Sequence, residues 1–284
     1  MSSNIAKLSN ALAASGLQRL QPDIERMMLP SLRLTGTPAT GTLSAGTSRL
    51  GGVPDLPVGF TWPVWKSSPM SFLAQLRLEE LAALSPASLL PKSGMLSFFY
   101  DAAQETYGAD PADRGGWLVA YFGGDPGGWL VSAFPAALPA EARFSACTLQ
   151  FSIEDSLPSS PAQHLPAPGW SEAEVEAYQQ FLFDYPGAEE RARPHHRMFG
   201  HPDQLQDDMQ LQCALYANGF ADLNDPKAAP ALSQKEDWLL LLQVDSDDQA
   251  GMQWASAGRL YFWIESGALQ AGQFERCWLV LQSD

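Results

Sequence analysis

The 284-residue sequence predicts an α+β fold: a duplicated, pseudo-twofold body of mainly antiparallel sheets with peripheral helices. Three observations carry this. Aromatic and β-branched runs of strand length recur through the chain, bounded by Gly, Pro and Asp turns. Helical periodicity is confined to the N-terminus and to a segment near residue 175. Four sequence blocks recur in one order.

The elements follow in order. Ile5, Leu8 and Leu12 lie at helical spacing and Gly16 supplies a stop, so a helix opens the chain. Pro22 fits the first position of a second helix, with Ile24, Met27 and Met28 as its apolar stripe and Pro30 as its end. Leu32 and Leu34 alternate with polar neighbours over 31–35, as in a half-buried strand, and the Gly/Thr/Ser-rich stretch 35–52 reads as a surface loop. Strands are predicted at 71–76, 95–100, 116–122, 129–134, 144–153, 238–244, 259–264 and 276–281. Turn residues at 110–116 and 123–128 predict that the strands from 95 to 134 form an antiparallel meander. Residues 154–169, with four prolines, read as a linker. Ser171 and Glu174 form a capping box for a helix over 172–184, with Val175, Tyr178, Phe181 and Leu182 on its apolar face.

The repeat pairs Ser48-Arg-Leu-Gly-Gly-Val-Pro-Asp55 with His196-Arg-Met-Phe-Gly-His-Pro-Asp203. It also pairs Phe72-Leu-Ala-Gln-Leu76 with Leu240-Leu-Leu-Gln-Val244, Gly94–Phe99 with Gly258–Trp263, and Trp117-Leu-Val119 with Trp278-Leu-Val280. The expected organisation is N-terminal helices over 1–30, a first half over 31–153, an acidic linker and helix over 154–190, and a second half over 191–284. The two halves are expected to fuse into one domain around a common axis.

Composition narrows the function classes. With 45% apolar and 17% charged residues the chain is globular, and no apolar run approaches the ~20 residues that cross a bilayer, so no membrane partner is expected. Lys7, Ser9 and Asn10 interrupt the apolar stretch that a secretory signal needs, which makes the cytoplasm the expected compartment. Cys147, Cys213 and Cys277 are too far apart for a disulfide framework or a zinc site and read as reduced core thiols. A net charge of −15 opposes a nucleic-acid partner. The first 90 residues carry seven basic and five acidic groups, so the rest of the chain carries −17. From Phe144 to Glu190 there are eight acidic residues and no Lys or Arg.

The stretches Gly51-Gly-Val-Pro-Asp-Leu-Pro57, Trp62-Pro63, Phe72-Leu-Ala-Gln75, Gly94–Phe99, Gly200-His-Pro202 with Gln206, and Trp254 with Gly258–Trp263 resemble the YwqG-like family, a bacterial domain of unknown function. The resemblance extends from about residue 30 to the end. It implies an α+β body with a duplicated core, and it implies no established catalytic residues. The turn Trp254-Ala-Ser-Ala-Gly258 departs from relatives, which tend to carry an acidic residue there.

The sharpest polar constellation is the pair of turns Arg49/Asp55 and Arg197/Asp203. Each is either an ion pair tying its turn or, if both turns meet at the axis, part of a pocket whose arginines bind a carboxylate or phosphate. Gln75 and Gln243 sit inside apolar strands, where a buried amide must find backbone or ligand partners. His195, His196, His201 and Asp203 lack metal-ligand spacing, and the 245–256 segment has Ala250 and Ser256 where a calcium loop needs Gly and Glu, so no metal is expected. Ser44 lies in a loop with no preceding strand and is no nucleophile elbow, and no phosphate-binding glycine motif is present. No cofactor or catalytic residue is assigned. Trp62 and Trp65 either present rings to a ligand or fill the core.

Two functions are expected. One is a non-catalytic module that binds a basic protein through Glu172, Glu176, Glu189 and Glu190. Its immunity or adaptor version, with a cognate toxin as partner, follows from the resemblance, because such families often accompany secreted toxins. The other is a small-ligand binder or hydrolase in a cleft between the halves, around Arg49, Asp55, Gln75, Arg197, Asp203 and Gln243. Oligomeric state is left open.

Overall fold

Strands β1 (Leu29–Pro38) and β10 (Cys147–Ser156) pair antiparallel along ten residue positions, from Leu29 opposite Ser156 to Pro38 opposite Cys147, and form the centre of the main sheet. A computed structural model describes residues 2–124, 129–165 and 169–283, and their side chains except those of residues 2–6 and Arg191. Beyond β10 come β2 (Arg49–Leu50), β6 (Ser71–Arg77), β7 (Met95–Tyr100) and β8 (Trp117–Phe122). Beyond β1 come β11 (His196–Met198), β12 (Trp238–Asp245), β13 (Arg259–Glu265) and β14 (Trp278–Gln282). Among the described residues this gives a ten-stranded sheet in which every neighbouring pair is antiparallel. The α+β class with mainly antiparallel strands is therefore the fold.

The period-2 alternation explains how the sheet faces its core. On β1, Leu32 and Leu34 enter the central apolar cluster, while Ser31 and Arg33 take the opposite face. The two wings close over that cluster. Phe98 meets Phe262 edge-on at 5.2 Å, Trp117 meets Trp278 at 4.8 Å, and Trp254 receives Tyr100 and Phe144 at 6.0 and 5.5 Å. The register of both wings shifts at one position, between Phe72 and Ala74 on β6 and between Leu240 and Leu242 on β12. The last block is offset by one residue from the sequence alignment. Phe99 pairs with Leu118 and Trp263 with Trp278, so Leu118 stands where Trp278 stands.

Two smaller clusters lie outside. Helices α1 (Ser2–Ala14) and α2 (Gln21–Met27) bury Leu8, Leu12, Ile24 and Met27 against Tyr178 and Phe181 of the later 172–184 helix. The hairpin of β4 (Val64–Trp65) and β5 (Ser68–Pro69), and the residues before it, cover Phe72 and Phe99 with Phe60, Trp62 and Trp65. Of the remaining helices, α3 (Leu78–Leu81) follows β6. α4 (Glu172–Asp184) starts at the predicted capping box, with Ser171 and Glu174 bonding each other's backbone. α5 (Ala188–Arg191), α6 (Met209–Tyr216), α7 (Ala229–Leu232) and α8 (Ser266–Gln270) complete the set among the described residues.

Several expectations change. The stretch 35–52 is not all surface loop, because β1 runs on to Pro38 in its ladder with β10 and Arg49–Leu50 form the buried strand β2. The meander ends at β8, because β9 (Trp129–Val131) leaves the main sheet and pairs with β3 (Asp55–Pro57). In its place β8 packs against the turn Phe274–Arg276, with Tyr121 on Phe274 at 5.5 Å. Glu154 to Ser156 are strand rather than linker, since their ladder with β1 continues past the predicted end. Arg276 and Cys277 precede β14 instead of opening it. Within the predicted turn 123–128 and the linker 154–169, residues 125–128 and 166–168 lie outside the described residues.

Candidate functional site

Arg49 on β2 stands opposite Gln75 on β6, and both side chains turn to Asp55. The Asp55 Oδ2 accepts from the Arg49 guanidinium, from Gln75 Nε2 at 2.6 Å and from the Gly46 backbone N–H at 2.8 Å. Gln75 Oε1 accepts from the Asp55 N–H at 2.8 Å, while Gln75 Nε2 also reaches Thr47 O. All three side chains are buried. Burial pushes the Arg49 guanidinium down from its ordinary range, against the pull of Asp55.

The second turn repeats the Arg–Asp–Gln core of this arrangement, without a counterpart to the Gly46 bond. Arg197 on β11 stands opposite Gln243 on β12, and Arg197 Nη1 donates to Asp203 Oδ1 at 2.9 Å. Gln243 Nε2 donates to Asp203 Oδ2 and His195 O, and its Oε1 accepts from the Asp203 N–H. Here the cluster is larger. Arg197 Nε also binds Glu154 Oε1 at 2.8 Å, and His195 Nδ1 lies 3.3 Å from Asp203. Burial opposes the charge on Arg197, but Asp203 and Glu154 outweigh it and raise the guanidinium above its ordinary range. Burial likewise opposes the charge on Asp203, whose carboxyl is nonetheless held far below the usual range by Arg197, His195 and Gln243. Beside Arg197 lies Arg33, its register partner on β1, which donates from Nη2 to Pro194 O at 2.7 Å. The Arg33 Nε and Nη1 are buried without an acceptor among the described residues.

The two turns do not meet. β10 and β1 lie between β2 and β11, three strand spacings or about 14 Å. A cleft of about 570 Å³ opens elsewhere. Phe199, Trp238, Leu240 and Trp263 form its buried part, and the 85–89 turn, Ser159 and His164 stand at its margin. None of Arg49, Asp55, Gln75, Arg197, Asp203 and Gln243 lines it. A family described as a domain of unknown function (DUF1963) matches residues 48–283, which takes in both turns and most of the cleft.

The chain belongs to this family.

The YwqG-like resemblance and DUF1963 are the same assignment. No curated protein matches the chain. In this DUF1963 chain, β1 with Arg33 precedes the matched residues, yet it pairs with β11 inside them.

The acidic residues are placed as follows. Glu172 and Glu176 are exposed on α4 and form no ion pair among the described residues, whereas Glu189 and Glu190 pair with Arg193 at 3.2 and 3.5 Å. The three cysteines are buried and free, and burial pushes the Cys213 and Cys277 thiols well up. Among the described residues no group of three or more His, Cys, Asp or Glu could hold a metal, and no helix is long and apolar enough to cross a membrane. His196 instead accepts from the Asp245 N–H at Nδ1 and bonds Asp247 through Nε2. Trp62 and Trp65 pack in the cluster over Phe72 and Phe99.

Sequence reasoning missed Arg33, Glu154 and the cleft. The alternation of Ser31, Arg33 and Thr35 was the available signal for Arg33, since it sets that side chain on the polar face with Arg197. The cleft has one trace in sequence: Phe199 stands where the matching turn has Gly51.

Proposed function

We propose that this chain is a non-catalytic protein-binding module that docks a basic partner through an acidic face centred on α4, in an immunity or adaptor role toward a cognate toxin. The observation that carries the reading is that Glu172 and Glu176 are exposed on one helix without a counter-ion among the described residues. Asp184 is exposed on the same helix, and Glu189 and Glu190 follow it. Unpaired surface carboxylates contribute little to stability, but they speed and select association with a complementary basic surface. The test is titration against basic proteins encoded beside its gene, at 50 and 300 mM salt. A fall in affinity of tenfold or more with salt, and a comparable loss in Glu172→Lys/Glu176→Lys, is expected. Affinity indifferent to both would overturn the reading.

We further propose that the body is a tandem duplication fused into one domain, with exchanged leading strands. The matching hydrogen bonds of the two turns, the shared bulge position and the order of strands on either side of the β1–β10 pair support it. In this reading β10 is the counterpart of β1, and each lies beside the other copy's next strand: β1 beside β11 and β10 beside β2.

A further inference from the structure

Phe72 and Phe99 lie opposite each other on β6 and β7, and the chain itself covers them. Trp62 meets Phe99 edge-on at 5.6 Å, Phe60 stacks on it at 6.5 Å, and the Trp62 indole N–H donates to Met70 O at 2.9 Å. The corresponding pair on β12 and β13 is Leu240 opposite Trp263, at the same side of the same bulge. There the connection from Asp203 to β12 runs through α6 and α7 instead, and the cleft of about 570 Å³ opens over the pair.

We propose that this cleft binds a small planar aromatic molecule carrying an N–H or O–H donor. Its volume is that of a small-molecule pocket. Of its apolar wall, Trp238, Leu240 and Trp263 stand where Met70, Phe72 and Phe99 stand under Phe60 and Trp62 in the other wing, and Phe199 is added to them. Phe199 is held at φ +60°, a conformation unfavourable to a bulky residue, where the matching turn has glycine. The ring is thus kept against the cleft despite its backbone.

The polar groups choose the donor. His201 gives its Nε2–H to Met27 O at 2.7 Å, which leaves Nδ1 as an acceptor, and its ring meets His164 edge-on at 4.7 Å. Lys235, the one cation among the lining residues, is bound to Asp208 at 2.6 Å, and Glu236 is exposed beside it. The free acceptors here, His201 Nδ1 and the Glu236 carboxylate, suit an N–H or O–H on a neutral ring, and the buried Trp263 indole N–H, which has no acceptor among the described residues, suits the π face of that ring. The assignment is independent of the acidic face of α4.

The test is saturation-transfer NMR on the full chain with indole as probe, beside N-methylindole, cyclohexanol and the peptide Gly-Trp-Gly. Transfer to indole is expected, at least fivefold stronger than to the other three. Ser88→Trp and Ser159→Trp each place a plug at the margin from a different segment, and each is expected to abolish the signal while the thermal midpoint stays within a few degrees. The two variants are scored separately, so one that fails to fold leaves the other to decide. No transfer to indole, equal transfer to N-methylindole or cyclohexanol, stronger transfer to the peptide, or an undiminished signal in a folded plug variant would each overturn the proposal.

Discussion

Arg197 reaches Glu154 with its Nε 2.8 Å from the carboxylate, and in doing so it ties β11 to β10 across the strand between them. Arg49 makes its ion pair with Asp55 alone. The two turns thus share one Arg–Asp–Gln hydrogen-bond core and differ in charge balance. Glu154→Gln is expected to lower stability by about 1–3 kcal/mol, because a charge-assisted bond to a buried guanidinium is lost. Urea denaturation with an unchanged m-value checks it.

Asp55 is fully buried, while Asp203 keeps 32% of its side chain exposed. Asp55→Asn leaves Arg49 as an uncompensated buried charge and is expected to cost about 3–5 kcal/mol. Asp203→Asn should cost clearly less, since Glu154 still faces Arg197 and solvent reaches the site. Equal losses in denaturation midpoints would contradict this ranking.

Burial lowers the His201 pKa to about 4 from 6.5. The folded state therefore favours the neutral ring. Its contribution is complete above pH 6.5, falls as the unfolded chain takes up the proton, and is gone below about pH 4. The depression corresponds to about 3 kcal/mol. His201→Gln should flatten the stability profile between pH 6.5 and 4, as read from thermal midpoints at several pH values.

Gly200 has φ +70°, and a Cβ there would press on Ser156 and Ser31 at the end of the β1–β10 ladder. Gly200→Ala is expected to cost about 3 kcal/mol, combining left-handed strain with overpacking. Gly267 in α8 meets nothing within 4 Å, so Gly267→Ala should stabilise by up to about 1 kcal/mol. Paired melting curves separate the two.

Much of the secondary structure is legible because its signals are local. The Ser171/Glu174 box marks the start of α4, and alternation around Leu32 and Leu34 marks β1. The departure of β9 is not legible, since the flank it would take beside β8 is occupied by a turn some 150 residues away in sequence. Prolines after residue 157 pull the predicted end of β10 back from Ser156, although the ladder with β1 decides it. At the candidate site the residue types can be read in order, but not that Arg33 and Glu154 flank Arg197. That depends on which strand enters the gap between β11 and β10.

The neighbours of β1 and β10 make the halves of the polypeptide mutual hostages. Protease nicking between residues 135 and 141 would leave two fragments still zipped together by ten residue pairs, with β1 seated between two strands of the later fragment and β10 between two of the earlier one. Neither fragment has a finished hydrophobic boundary by itself. Expressed separately, they should behave as unfolded chains that regain structure on mixing, in the manner of a split reporter.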